Sequence, residues 1–242
     1  MDLTLAICMY NAEKYIEQTL TSVLGQTRQD FQLLIVDDCS TDDSVPMVNN
    51  FFAVHPRQYR MQRLEANQGI AYARQWALTH SETKYLVFVD ADDSPFLEMV
   101  EKEYKAISSD MELMAVSSWL QYMDSKGTPM SGGFYMGATS KTEFMAQAQA
   151  AKRIFLPIQT MFDRECALRA GGFQLEGFPE GKPRYRDFCE DLDLWTRMSD
   201  LYVEGKYMIV LPEILYLYRK TDGLSSNHFN MIIKMAYTKA NL

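Results

Sequence analysis

The chain has 242 residues, 47% of them hydrophobic, enough for a packed core, and this excludes disorder as its global state. Its 32 acidic residues outnumber 24 basic ones, giving a net charge of -8, and no run of Lys or Arg suits a phosphate backbone, so no nucleic-acid partner is expected. Cys8, Cys39, Cys166 and Cys189 are far apart and form no CxxC pair, which argues against a zinc knuckle or a disulfide framework and for reduced thiols in a cytoplasmic protein.

The segment LTLAICM (3 to 9) reads as a first strand, and it lacks the basic start and the length of a signal peptide. Asn11 is placed to cap a helix whose apolar positions Tyr15, Ile16, Leu20, Val23 and Leu24 recur at helical spacing and end near Gly25. FQLLIV (31 to 36) is a second strand, followed by the turn DDCSTDD, in which Ser40 and Thr41 are good helix caps. Tyr59 to Leu64 is a candidate third strand, Ile70 to Thr79 a helix, and YLVFV (85 to 89) a further strand. Strands alternating with amphipathic stretches are the pattern of a parallel sheet with crossover helices.

The second half is less regular. LMAVSSWL (113 to 120) reads as a strand and Asp124 to Gly137 as a loop. After Pro157 to Phe162 come a short helix ending at Gly171 and Gly172, a polar stretch from 174 to 188, and a helix beginning near Glu190. Two short apolar runs around Val210 and Tyr216 flank Pro212, and this region is too broken to cross a bilayer. Phe229 to Tyr237 reads as an apolar terminal helix that covers core, with a peripheral contact to lipid as the alternative. The expectation is one domain sharing one sheet, with residues 1–110 as a nucleotide-binding half and 111–242 as a substrate half.

The strand YLVFV runs into three carboxylates in four positions, Asp90, Asp92 and Asp93. In an extended chain, residues two apart face the same side with Cα atoms about 6.5 to 7 Å apart, so Asp90 and Asp92 converge while Asp93 points away. Two converging carboxylates raise each other's pKa unless a divalent ion or a shared proton intervenes. Oxygen ligands in small number favour Mg2+ or Mn2+ with positions left for phosphates. A solvated loop with Asp93 or Ser94 capping the next helix is the bland alternative. The position tells against it, since open α/β sheets bind ligands at the carboxyl ends of their strands. Asp37 and Asp38 end the second strand in the same way. One can face the crevice, suited to a base N–H or a ribose hydroxyl, while the other organises the turn.

These segments, taken with ICMYNAEKYI and NQGIAYARQWAL, resemble family 2 glycosyltransferases of the GT-A fold. The family's opening P-x-Y-N-type segment is matched by Cys8, Met9, Tyr10 and Asn11, and its DDxSxD turn by Asp37 to Asp42. Its N-x-G-x-x-x-A-R segment is matched by Asn67, Gly69, Ala73 and Arg74, and its D-x-D-D by Asp90 to Asp93. Gly171-Gly172-Phe173 and Glu190-Asp191 resemble the acceptor region and the E-D catalytic motif. The resemblance implies a mixed, Rossmann-related α/β sheet flanked by helices. It also implies inverting transfer from a nucleotide-diphosphate sugar, most readily a UDP-sugar, of a hexosyl or N-acetylhexosaminyl unit to a glycan or lipid-linked acceptor.

On that resemblance Cys8, Tyr10, Asn11, Asp38, Arg74, Asp90 and Ala91 contact the donor, Asp92 with Asp90 holds Mn2+ or Mg2+, and Asp191 is the general base. Asp191 has support of its own, because on a helix it shares a face with Leu194, Trp195 and Met198, whereas Asp193 lies about 200° round. Where the family often carries a His in a YRxH-like segment, this chain reads Tyr218-Arg219-Lys220-Thr221, which leaves Asp222, His228 or nothing in that role. The basic motif of processive polysaccharide synthases is missing. Expected location is the cytoplasm, with the inner face of the membrane as a peripheral site. The rival readings are a non-catalytic sugar-nucleotide binder, a nucleotidyltransferase and a phospho-receiver domain. A receiver would be about half this length.

Overall fold

A computed structural model describes residues 1–150, 156–157, 159–175 and 190–220. In chain order the strands are β1 (Leu3–Met9), β2 (Gln32–Asp37), β3 (Arg60–Arg63), β4 (Tyr85–Asp90), β5 (Ser94–Pro95), β6 (Leu113–Met123), β7 (Pro129–Phe134), β8 (Met161–Asp163) and β9 (Tyr207–Arg219). The helices are α1 (Ile16–Leu24), α2 (Ser44–Val54), α3 (Ile70–His80), α4 (Met99–Ser109), α5 (Lys141–Gln149), α6 (Arg164–Arg169) and α7 (Glu190–Ser199). Asn67 to Gly69 lead into α3 through Gly69, whose φ of 91° is a conformation that other residues adopt only under strain.

The strands form one mixed sheet in the order β3-β2-β1-β4-β8-β6-β9-β5, with β7 paired to β6. β1 lies between β2 and β4, parallel to both, with Met9 opposite Asp37 and Cys8 opposite Asp90. Every residue of β1 is buried, as a run that is apolar but for Thr4 requires of a strand covered on both faces; the Thr4 hydroxyl is satisfied by that of Thr83 at 2.7 Å. The chain leaves β1 through α1 toward β2, and the return from β3 to β4 passes over both strands. With right-handed crossovers this puts α3 on the face opposite α1 and α2. The reversal makes the carboxyl end of β1 a switch point, where the sheet opens a crevice.

Three local expectations are corrected. Ser40 and Thr41 do not cap α2, which begins after Asp43; they bind the end of β1 instead. Asn11 does not cap α1, whose cap position is Tyr15. It sits at φ 51° with its Oδ1 accepting from Thr41 N–H at 2.9 Å, while its own N–H donates to Ser40 Oγ at 3.0 Å. The stretch 124–137 is a hairpin rather than a loop alone. Asp124 Oδ1 accepts from Lys126 N–H and Thr128 N–H to close the turn, and β7 follows. Its PMSGGF sequence has no apolar alternation, which hid it.

The two runs around Pro212 are a single strand. Pairing with β6 jumps from Ser118–Leu211 to Trp119–Ile214, so Pro212 and Glu213 bulge out of the ladder. Among the described residues no helix is long and apolar enough to cross a membrane. The expected terminal helix, 229–237, lies outside the described residues.

Behind the crevice, Glu103 of α4 is fully buried, with Oε1 accepting from Ser118 Oγ–H at 2.9 Å and no hydrogen-bond partner for Oε2. Burial pushes this carboxyl well above its ordinary value of 4.5. The folded state therefore keeps a proton that the unfolded chain releases above that value. The stability this contributes is complete below pH 4.5 and is lost as pH rises. Glu103→Gln should raise Tm at pH 8, at about 2–4 °C per kcal/mol recovered, and should give no gain at pH 4, as thermal melts at the two pH values would show.

Candidate active site at the sheet switch point

The crevice is built by the ends of three parallel strands, so their acids lie one or two strand spacings apart, about 5 to 10 Å. Asp37 is fully buried and organises its turn: both its carboxylate oxygens accept from Ser40 N–H at 3.2 Å, and Arg63 Nε lies 3.3 Å from Oδ2. Asp38 reaches across to the start of α3, where Oδ1 accepts from Gln68 N–H and Oδ2 from Gly69 N–H, both at 2.8 Å. Asp37 thus organises the turn, as one of the pair was expected to do. The Asp38 carboxylate also holds the entry of α3, whose next turn carries Arg74.

Arg74 is 4% exposed and is the centre of the site's electrostatics. One of its nitrogens donates to Asp90 Oδ1 at 2.6 Å and another to Glu190, the first residue of α7. Burial alone would lower its pKa, but the charges of Asp90, Glu190 and Asp191 outweigh that and raise it. Burial and the neighbouring Asp191 push Glu190 up to about 7, against the pull of Arg74. Cys8, at the end of β1, faces the same group of charges, and its burial pushes the thiol up to about 12, so it is an inert floor.

Asp92 is pushed up to about 6, first by burial and then by the charge of Asp90. Asp93 is turned away as expected, with Oδ1 accepting from Arg219 N–H of β9 at 2.7 Å. Ala91 is buried, and its carbonyl accepts from Thr19 Oγ1–H at 3.0 Å. Tyr10 is half exposed at the rim.

Asp191 stands at the N-terminus of α7 beside Glu190, partly exposed, with Oδ1 accepting from Leu192 N–H at 2.8 Å. The more deeply buried acid of the pair is Glu190, so the apolar-face argument for Asp191 describes its neighbour better. Asp193 pairs with Arg197. The charges of Cys8, Asp38, Arg74, Asp90, Asp92 and Asp191 thus act on one another at one end of the sheet, while Asp222 and His228 lie outside the described residues.

Sequence reasoning missed two groups. Glu190 was visible only as part of a motif, although an acid opening an apolar helix face signals a buried partner. Arg219 was read only as a departure from a pattern, although period two puts it on the face of Leu215 and Leu217. It is 2% exposed. Among the described residues no three His, Cys, Asp or Glu side chains form a ready-made metal cage.

A mixed α/β sheet with strand-end acids gathered at its switch point defines a Rossmann-like, nucleotide-binding class of architecture. The chain belongs to glycosyl transferase family 2, whose signature matches residues 4–169. It is 36% identical over 222 residues to the Bacillus subtilis strain 168 protein named "Putative teichuronic acid biosynthesis glycosyltransferase TuaG", covering 90% of this chain and 79% of that one.

Among solved structures, S. aureus TarS 1–349 in complex with UDP-GlcNAc superposes with a TM-score of 0.66 at 21% identity over 92% of this chain. The mannosyltransferase PcManGT of Pyrobaculum calidifontis, solved with GDP-Man and Mn2+, gives 0.68 at 19% identity over 99%. These likenesses establish the GT-A-like fold. The chain spans 60% and 63% of those two solved chains, and 13% of a longer relative with which it shares 43% identity over 91 residues.

Removing Arg74 strands two acids, so Arg74→Met should cost about 3–5 kcal/mol in urea unfolding. Glu190→Gln should cost less, because Arg74 keeps Asp90.

Proposed function

We propose that the protein is an inverting glycosyltransferase. It would move a hexosyl or N-acetylhexosaminyl unit from a nucleotide-diphosphate sugar, a UDP-sugar in the first instance, to a hydroxyl of a glycan or lipid-linked acceptor. One observation carries this reading: Arg74 joins Asp90, at the end of the acidic strand, to Glu190, next to Asp191, so a donor-side acid and the candidate base share one buried cation. Family membership and the UDP-GlcNAc carried by the TarS structure support the donor class. Family membership also sets aside the phospho-receiver reading.

The residues divide the work. Asp38, with Cys8, Tyr10, Asn11 and Ala91 around it, holds the nucleoside; Arg74 keeps positive charge near the diphosphate. The acceptor oxygen attacks the anomeric carbon from the face opposite the diphosphate while Asp191 accepts its proton. One displacement inverts the configuration, with no covalent sugar-enzyme intermediate. Asp92 and Asp90 fit Mg2+ or Mn2+ by donor chemistry, since such ions are commonly held by one or two carboxylates with phosphate and water completing the shell, and the raised Asp92 carboxyl is what a cation would relieve. A divalent ion there would supply Lewis-acid stabilisation of the leaving diphosphate. The proposed location is the cytoplasm, with the inner membrane face as the place of a lipid-linked acceptor.

The test is a panel of sugar nucleotides with Mn2+, read by calorimetry and by slow donor hydrolysis. Asp92→Ala should abolish metal-dependent donor binding. Asp191→Asn should leave binding intact and reduce transfer by 10²-fold or more, on the order of a lost general base. Full transfer by Asp191→Asn would remove it as the base, and donor binding without turnover by the parent protein would favour the sugar-nucleotide binder.

A further inference from the structure

The acidic loop after β4 is held by its backbone. The carbonyls of Ala91 and Asp93 share the single proton of the Thr19 hydroxyl, whose Oγ1 lies 3.0 and 2.7 Å from them. The carbonyl between them, that of Asp92, accepts from Arg219 Nε–H at 2.6 Å. Three successive carbonyls are therefore fixed by two side chains, one from α1 and one from β9, and both residues are buried. A loop with its peptide planes set in this way leaves the Asp92 side chain little freedom beyond its own rotamers.

Arg219 does more than this one contact. Its Nη1 donates to the carbonyls of Asp124 and Ser125, both at 3.1 Å, and its Nη2 to Gln18 Oε1 at 2.6 Å. Its guanidinium lies 4.5 Å from the ring centroid of Tyr15. The planar fork thus ties four separate segments together: α1, the acidic loop, the β6–β7 turn and the end of β9. A lysine, a point charge on a flexible stem, could satisfy one or two of these acceptors but not all of them in their several directions. The Gln18 amide in turn packs against Gly127 of the turn, where φ is 86° and an added Cβ would come within 2.6 Å of Gln18 Nε2. Among the described residues, the hydrogen bond that Arg219 makes to a carboxylate comes from its backbone N–H, to Asp93.

We infer that Arg219, with Thr19, is the positioning device of the acidic loop: it fixes the peptide of Asp92 and so the aim of that carboxylate at a divalent cation bound with the donor diphosphate. The inference rests on the reading of Asp92 as a metal ligand given above. It assigns to β9 a role in the donor site, although β9 lies in the half expected to bind acceptor.

The experiment compares the full chain with Arg219→Met, Arg219→Lys, Thr19→Val and Asp92→Ala. Mn2+ binding is measured in the presence of UDP by calorimetry and by electron paramagnetic resonance of the ion, and UDP binding is measured separately in EDTA. Circular dichroism melts identify the variants that fold. Loss of such an outer contact to a metal ligand should weaken Mn2+ binding by about 10- to 100-fold in Arg219→Met, leave UDP binding in EDTA unchanged, and be partly restored in Arg219→Lys. Thr19→Val should act in the same direction and decides the matter if Arg219→Met does not fold.

Folded variants that bind Mn2+ and UDP as the parent does would overturn the inference, as would equal weakening with and without the ion, which marks a merely structural role. If Asp92→Ala itself leaves Mn2+ binding untouched, the metal reading of Asp92 falls and this inference with it. If Asp92→Ala is deficient while the other three are not, only the role of Arg219 and Thr19 is lost.

Discussion

Asp90, Asp92 and Asp93 can share one strand end because buried guanidinium groups reach them from two sides. Like charges about 6.5 Å apart repel by about 2–3 kcal/mol at an effective dielectric of 20, and burial adds to the cost of each. Arg74 comes from α3 and meets Asp90 charge to charge. Arg219 comes from β9 and hydrogen-bonds the neighbouring peptides, while the Asp92 carboxyl, raised by burial and by Asp90, is drawn back by the charges of both arginines. The two arginines are thus not equivalent. One bonds a carboxylate directly, and the other bonds the peptides that carry the carboxylates.

That arrangement joins the ends of the chain. The strands nearest the N-terminus supply the crevice, yet the groups that complete it, Glu190, Asp191 and Arg219, come from residues beyond 189. Their contacts to the first hundred residues are long in sequence and short in space: Arg74 with Glu190, and Arg219 with Asp92 and Gln18. β8 makes the same link within the sheet, lying antiparallel between β4 and β6. The earlier and later parts of the chain are therefore joined in one sheet, and the charge cluster at its end draws on both.

The first four major strands were legible because β1, β2 and β4 are continuous apolar runs ended by acids or turns, a signal that survives without any knowledge of partners. The helices α1, α3 and α7 were legible from their spacing. β7 was not, because glycines and a proline carry no period. The bulge at Pro212 was taken for a break because a proline in a run demotes it to edge or loop. The crevice acids were legible by position. Their partners were not, since an arginine reads as solvated until the fold shows what it faces. Ser40 and Thr41 fit a cap by residue type, but Asn11 and Ala12 compete for the same hydroxyl-rich turn and win: Asn11 N–H takes Ser40 Oγ, and Ala12 N–H takes Ser44 Oγ at 2.7 Å.

The complete burial of β1 sets where chemical novelty can arise in this scaffold. A strand with no solvent-facing position tolerates almost no change of side-chain volume, so the bed of the sheet is closed to drift. The half-exposed Tyr10 at its rim and the β6–β7 turn are bound by no such limit. Change can therefore accumulate at these margins while the bed stays as it is.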